Sequence, residues 1–197
     1  MEDALNAYKH GAEQIELCSR LDLDGLTPVH ESVRKLSQSL PIPIKVMLRP
    51  HDNGFVYSED DMNNIRKDIE IFKQWGIKQF VFGALAGDVL DIDCILQVCQ
   101  WISPHTMTIH KAIDLSRDPI SDIRLLKSID NVSHILSSGA AQTAHQGINT
   151  LIRMKQVAGE EIDIIPAGKI TYKNINELHQ ILACKIYHGR EIVQMTR

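Results

Sequence analysis

The sequence predicts an α/β fold of the TIM (β/α) barrel type, with seven strands evident and the first strand lacking. Three observations carry this reading. Seven short apolar runs, each ending in polar or glycine-containing residues, recur at 15–19, 44–50, 80–85, 108–114, 135–139, 164–170 and 186–190. Helix-like stretches separate them at near-regular spacing, and such alternation calls for a parallel sheet with right-handed crossovers. No GxGxxG or GxxxxGK[ST] loop follows any run. That removes the two main nucleotide-binding versions of an open sheet and favours the closed barrel.

Each element has a local cause. Residues 2–10 read as a helix with Ala4, Leu5 and Tyr8 on one side, closed by Gly11. The strand IELCS follows, and Thr27-Pro28 then offers an N-cap and a proline at the first helical position. After IKVMLRP, Ser58 with Asp61 three residues on resembles a capping box, and Gly76 ends that helix. FVFGAL precedes a helix capped by Asp91, in which Cys94 and Cys99 read as buried helical residues. TIHKAID, ILSSG with Thr143 capping the next helix, IIPAGKI and IYHGR complete the series. Because residues 2–10 are helical, no first strand is evident before 15–19, and the tail EIVQMTR at 191–197 is a poor substitute. Opening the ring leaves 14–19 and 185–189 as edges. The expectation is an open or distorted barrel that self-associates as a homo-oligomer, or that gains stability and monomer content from an added first strand.

A chain of 197 residues, 44% hydrophobic, suits one domain spanning 1–197 around one core. The formal charge of −4, without a long Lys/Arg cluster, argues against nucleic acid as a partner. No apolar stretch approaches the roughly 20 residues that span a bilayer, and the start EDALNAYKHGA is no signal-peptide core, so the reading is cytoplasmic with no membrane partner. Small anionic molecules or ions are the expected partners. Cys18, Cys94, Cys99 and Cys184 show no CxxC spacing, which argues against a disulfide framework.

Strand parity gathers the chemistry. If Ile15 and Leu17 face the helices, Glu16 and Cys18 point inward; by the same rule Met47 goes with Arg49, and Thr108 with His110, Ala112 and Asp114. Cys18 and Met47 are candidate metal ligands, since thiolate and thioether select Cu(I) over harder cations, although a small buried hydrophobe beside a core filler is the plainer reading. Glu16, Arg49, His110, Asp114 and His188 are candidate catalytic residues. Carboxylate, imidazole and guanidinium can abstract a proton and hold an anion, with His110 placed to titrate near neutrality. The same groups also suit an interior network in which Glu16 pairs with Arg49. Gly139, Gly168 and Gly189 are candidate substrate-binding residues; the last two stand where many barrels cradle phosphate on backbone N–H groups. His134 and the other remaining histidines read as solvated or helical.

In their order, GAEQIELCSRLDLDGLTP, VMLRP, GFVYSEDDM, FVFGAL, HKAID, LSSG, IPAGKI and YHG, from about Glu2 to His188, resemble the CutC family of copper homeostasis proteins. The resemblance implies a TIM barrel, a role in copper tolerance and Cu(I) binding through cysteine. Departures accompany it. The family's first strand, of the type EVCVDS with a second cysteine, has no counterpart; HRAFD stands as His110-Lys111-Ala112-Ile113-Asp114; the PGGG-like turn is Pro166-Ala167-Gly168-Lys169; and the final HGS is His188-Gly189-Arg190. The rival reading is a barrel lyase, isomerase or hydrolase acting on a small anion, with Glu16 or His110 as base and Arg49 as anion clamp.

Overall fold

Six parallel strands form a single curved sheet in the computed structural model, which describes residues 2–194. In chain order the strands are β1 (Ile15–Leu17), β2 (Ile44–Met47), β3 (Gln79–Phe82), the antiparallel hairpin β4 (Leu85–Ala86) and β5 (Val89–Leu90), β6 (Thr106–Ile109), β7 (Val132–Ser137) and β8 (Asp163–Pro166). The sheet order is β1-β2-β3-β6-β7-β8, every neighbouring pair parallel. The helices are α1 (Glu2–Lys9), α2 (His30–Ser39), α3 (Glu59–Gln74), α4 (Ile92–Ile102), α5 (Pro119–Leu126), α6 (Ile148–Ala158) and α7 (Ile175–Leu182).

Alternation along the strands separates two faces. Val46, Phe80, Phe82, Ile109, Ile135 and Ile164 join Val33, Ile65, Ile69, Phe72 and Ile95 of the helices in the main core. Burying each of these phenylalanines stabilises the fold by about 2–3 kcal/mol. Leu136, Ile165 and Ala167 belong to a separate small cluster with Ile186, and Met47 and Val81 are buried outside the main core. Being odd to the helix-facing residues, these line the concave face. That face holds the polar groups considered below.

Caps confirm part of the local reading. Ser58 Oγ accepts from the Asp61 N–H at 3.2 Å while Asp61 accepts from the Ser58 N–H at 2.9 Å, and Asp91 caps α4 through the Cys94 N–H at 2.9 Å. Gly11 and Gly76 take positive φ, +96° and +82°, just past α1 and α3. Two caps differ from expectation. Helix α2 begins only at His30, because the Thr27 hydroxyl accepts from the Arg49 N–H at 2.8 Å and ties the loop to the end of β2. Thr143 caps a turn through the Gln146 N–H rather than α6, which starts after Gly147.

Six strands build the sheet where seven were expected, and the run 186–190 is not one of them. Its Tyr187 hydroxyl turns back to accept from the Cys184 N–H, and a Cβ on Gly189 would lie 2.1 Å from the Ile170 carbonyl oxygen. The segment touches the end of β8 through the His188 N–H to Pro166 O at 3.0 Å without forming a strand ladder with it. Residues 195–197 of the tail weighed as a substitute strand lie outside the described residues. No helix among the described residues is long and apolar enough to cross a membrane.

Candidate functional site

Parity places Glu16, Lys45, Thr108, His134 and Asp163 on the concave face, and their contacts agree. Lys45 is 3% exposed, and its ammonium donates to Thr108 Oγ1 at 3.0 Å, across the intervening strand β3. Burial lowers its pKa to about 8, against the pull of Glu16 and Asp163. Burial, with Lys45 next, lowers His134 to about 4. Neither residue was singled out from sequence. His134 sits in β7, half-buried rather than helical, and Lys45 follows from the same two-residue period that selects Met47 and Arg49.

The expected Glu16–Arg49 ion pair does not form. Glu16 stands level with Lys45 in the register, whereas Arg49 lies four residues further, ~13 Å along the strand. The carboxylate of Glu16 faces His188 instead, at 3.8 Å from its Nδ1. Arg49 Nη1 donates to the carbonyls of Leu23 and Gly25, at 2.8 and 3.2 Å, and its guanidinium carbon lies 4.8 Å from the Phe55 ring centre.

His110 shares the Phe55 ring, at 4.7 Å between centres, and is 4% exposed. Burial, and then the Arg49 charge, lowers its pKa to about 3, so the expected titration near neutrality is corrected. Its Nδ1 accepts from the Ala112 N–H at 3.2 Å. In the neutral ring the proton then sits on Nε2, which makes His110 a hydrogen-bond donor there and a poor general base.

Asp114 and the glycines are engaged by the loops around them. The Asp114 carboxylate accepts from the Ser138 N–H at 2.8 Å, the Ala140 N–H at 2.9 Å, Ser138 Oγ and Ser137 Oγ, and the Gly139 N–H donates to Ser137 Oγ. The N–H groups of residues 138–140 therefore already have acceptors, which takes them out of any phosphate cradle. Each candidate glycine sits where a neighbour fills its side-chain space. A Cβ would lie 2.3 Å from Gly147 O at Gly139, 2.9 Å from Ser138 Cβ at Gly168, and 2.1 Å from Ile170 O at Gly189. Their smallness permits close loop packing.

Cys18 and Met47 both border Gly25. A Cβ on Gly25 would lie 3.1 Å from Cys18 Sγ and 3.8 Å from Met47 Cε, so both side chains line the space beside Gly25. Burial, and then Glu16, raises the Cys18 thiol to about 11. Cys94 and Cys99 sit in α4 as expected, each pushed by burial to about 12. No group of three or more His, Cys, Asp or Glu among the described residues has metal-holding geometry.

Comparison with known proteins agrees with this architecture. The CutC family model matches residues 1–193. The chain is 32% identical over 179 residues to the human copper homeostasis protein cutC homolog, covering 90% of this chain and 65% of that protein. It therefore spans just under two thirds of that relative's length. A family protein CutC of Aliivibrio fischeri is 33% identical, with 95% of this chain and 77% of the relative covered. A solved CutC structure from Streptococcus agalactiae superposes with a TM-score of 0.88 at 24% identity, over 92% of this chain and 90% of that one. Dihydrodipicolinate synthase from Bacillus anthracis gives 0.60 at 10% identity, covering 95% and 62%, a likeness of fold alone.

Proposed function

On the premise that this chain belongs to the CutC family, we propose that it serves copper homeostasis in the cytoplasm, holding Cu(I) as cargo between Cys18 and Met47. The observation that supports this reading is that the Cys18 thiol and the Met47 side chain, through its Cε, both approach Gly25. Soft sulfur donors select Cu(I), and two suffice for it. With its pKa raised to about 11, Cys18 is a neutral thiol at physiological pH, and the ion must displace its proton. The same reading takes the curved sheet as the greater part of a TIM barrel.

Competition titration against a Cu(I) chelator tests it. One bound ion is expected, with affinity rising about tenfold per pH unit between pH 6 and 8, because one proton leaves per ion below the thiol pKa. Cys18→Ser should abolish binding and Met47→Leu should weaken it. Binding that survives Cys18→Ser, or that ignores pH, would overturn the assignment.

A further inference from the structure

Arg49 and His110 occupy one row of the concave face, two strands apart. Met47 pairs with Val81 and Phe82 with Ile109, so the next step of the register sets Arg49 beside Gly83 and Gly83 beside His110. Gly83 leaves the space between them: a Cβ there would lie 2.7 Å from His110 Nδ1 and 3.2 Å from Ala112 Cβ. Phe55 contacts both side chains from one side.

Each residue presents a buried donor that no group of the protein answers. Arg49 is 7% exposed and its Nη1 is held by two carbonyls, yet its Nε finds no acceptor. No Asp or Glu among the described residues pairs with it. His110 has Nδ1 committed to the Ala112 N–H, and its Nε2 is likewise without a partner. An unanswered buried donor costs about 1–3 kcal/mol, and here two stand in one row beside an uncompensated cation.

We propose that Arg49 and His110 form a binding site for a small monocarboxylate, whose carboxylate lies along the Nε edge of Arg49 and accepts from His110 Nε2, with its body against Phe55. The donor set names the class. A cation is refused by Arg49, and a ligand without oxygen acceptors answers neither N–H. Arg49 contributes one positive charge and neutral His110 none, which matches a single negative charge. A phosphate dianion would want further donors, and the N–H groups of Ser138, Gly139 and Ala140 are already taken by Asp114 and Ser137. The side-on guanidinium edge suits a planar carboxylate. This site is independent of the copper reading, which rests on Cys18 and Met47.

Nitrogen-15 NMR of the full chain tests it, with the Arg49 Nε–H signal identified by its loss in Arg49→Lys. Acetate, pyruvate and inorganic phosphate are titrated separately at constant ionic strength. Acetate or pyruvate should move the Arg49 Nε–H and the His110 side-chain nitrogens together and saturably, with a Kd on the order of 1 mM for so small a ligand. His110→Phe should weaken binding about tenfold, and Cys18→Ser should leave it unchanged. The unmodified protein alone decides if His110→Phe does not fold. Absence of a saturable shift at Arg49 and His110, tighter binding of phosphate than of either carboxylate, or full affinity in a folded His110→Phe would each overturn the proposal.

Discussion

His110 and His134 illustrate how burial reverses the ordinary behaviour of a side chain. Both have folded-state pKa values far below the unfolded 6.5, about 3 and about 4. Between those values and 6.5 the unfolded chain binds more protons than the folded one, so stability rises with pH across the window and is lost as pH falls. The cause in both cases is first the loss of water, then a neighbouring cation, Arg49 for His110 and Lys45 for His134. Denaturant melts of the protein from pH 6.5 to 4 should show a steady loss of stability. In His134→Gln the slope should fall to about half. An unchanged slope would mean that other groups set the acid limit. The inward parity of His110 was legible from the two-residue period, whereas His134 was read as solvated or helical; the depth that depresses their pKa values was not legible, since it depends on what the neighbouring elements, Phe55 for His110, place over them.

At the scale of elements, the loops after β7 and β8 are built from contacts between backbones. A Cβ on Gly147 would lie 1.9 Å from Ser138 O, and Gly147 has an ordinary φ of −88°, so its glycine is required by close approach alone. Gly11 is the opposite case, with φ +96° and no atom within 4 Å of a built Cβ. Gly11→Ala should therefore cost about 1–2 kcal/mol, the left-handed penalty for one residue, whereas Gly147→Ala should cost more than about 3 kcal/mol or prevent folding. Thermal unfolding of the two variants compares them directly, and similar losses would refute the distinction. Gly139, Gly168 and Gly189 drew notice in the sequence as candidate substrate-binding residues, and the fold packs each of them against a neighbour. A strand-end glycine reads alike whether it faces an anion or a neighbouring carbonyl, and only the fold of residues 138–147 decides between them.

Across the whole molecule the open question of the sheet is its edges. Among the described residues, β1 pairs with β2 alone and β8 with β7 alone. The segment 186–191 spans the gap at one end: the His188 N–H reaches Pro166 of β8, its ring faces Glu16 of β1, and Arg190 donates to Leu21 O beyond β1. Such a strap ties the two edges at one level and leaves their ladders without strand partners. Exposed Leu21, Val29, Val56 and Leu115 stand on the loops that follow β1, β2 and β6. Light scattering over a concentration series should accordingly give a mass above that of one chain, rising with concentration. A constant monomer mass would show that the strap is cover enough.

Alternation of apolar runs and helices, the capping box at Ser58 and the inward parity of Glu16, Cys18, Met47, Arg49 and His110 are properties of local sequence, because a period of two or 3.6 residues is written into the chain itself. Which of those inward groups meet is a different matter. Parity assigns a side chain to a face but not to a height, and the register between strands set Glu16 level with Lys45 rather than Arg49. Likewise a run such as IYHGR has strand character on its own, yet a strand exists only where a neighbouring backbone shares a ladder with it, and residues 186–190 meet the β8 backbone through the His188 N–H to Pro166 O bond.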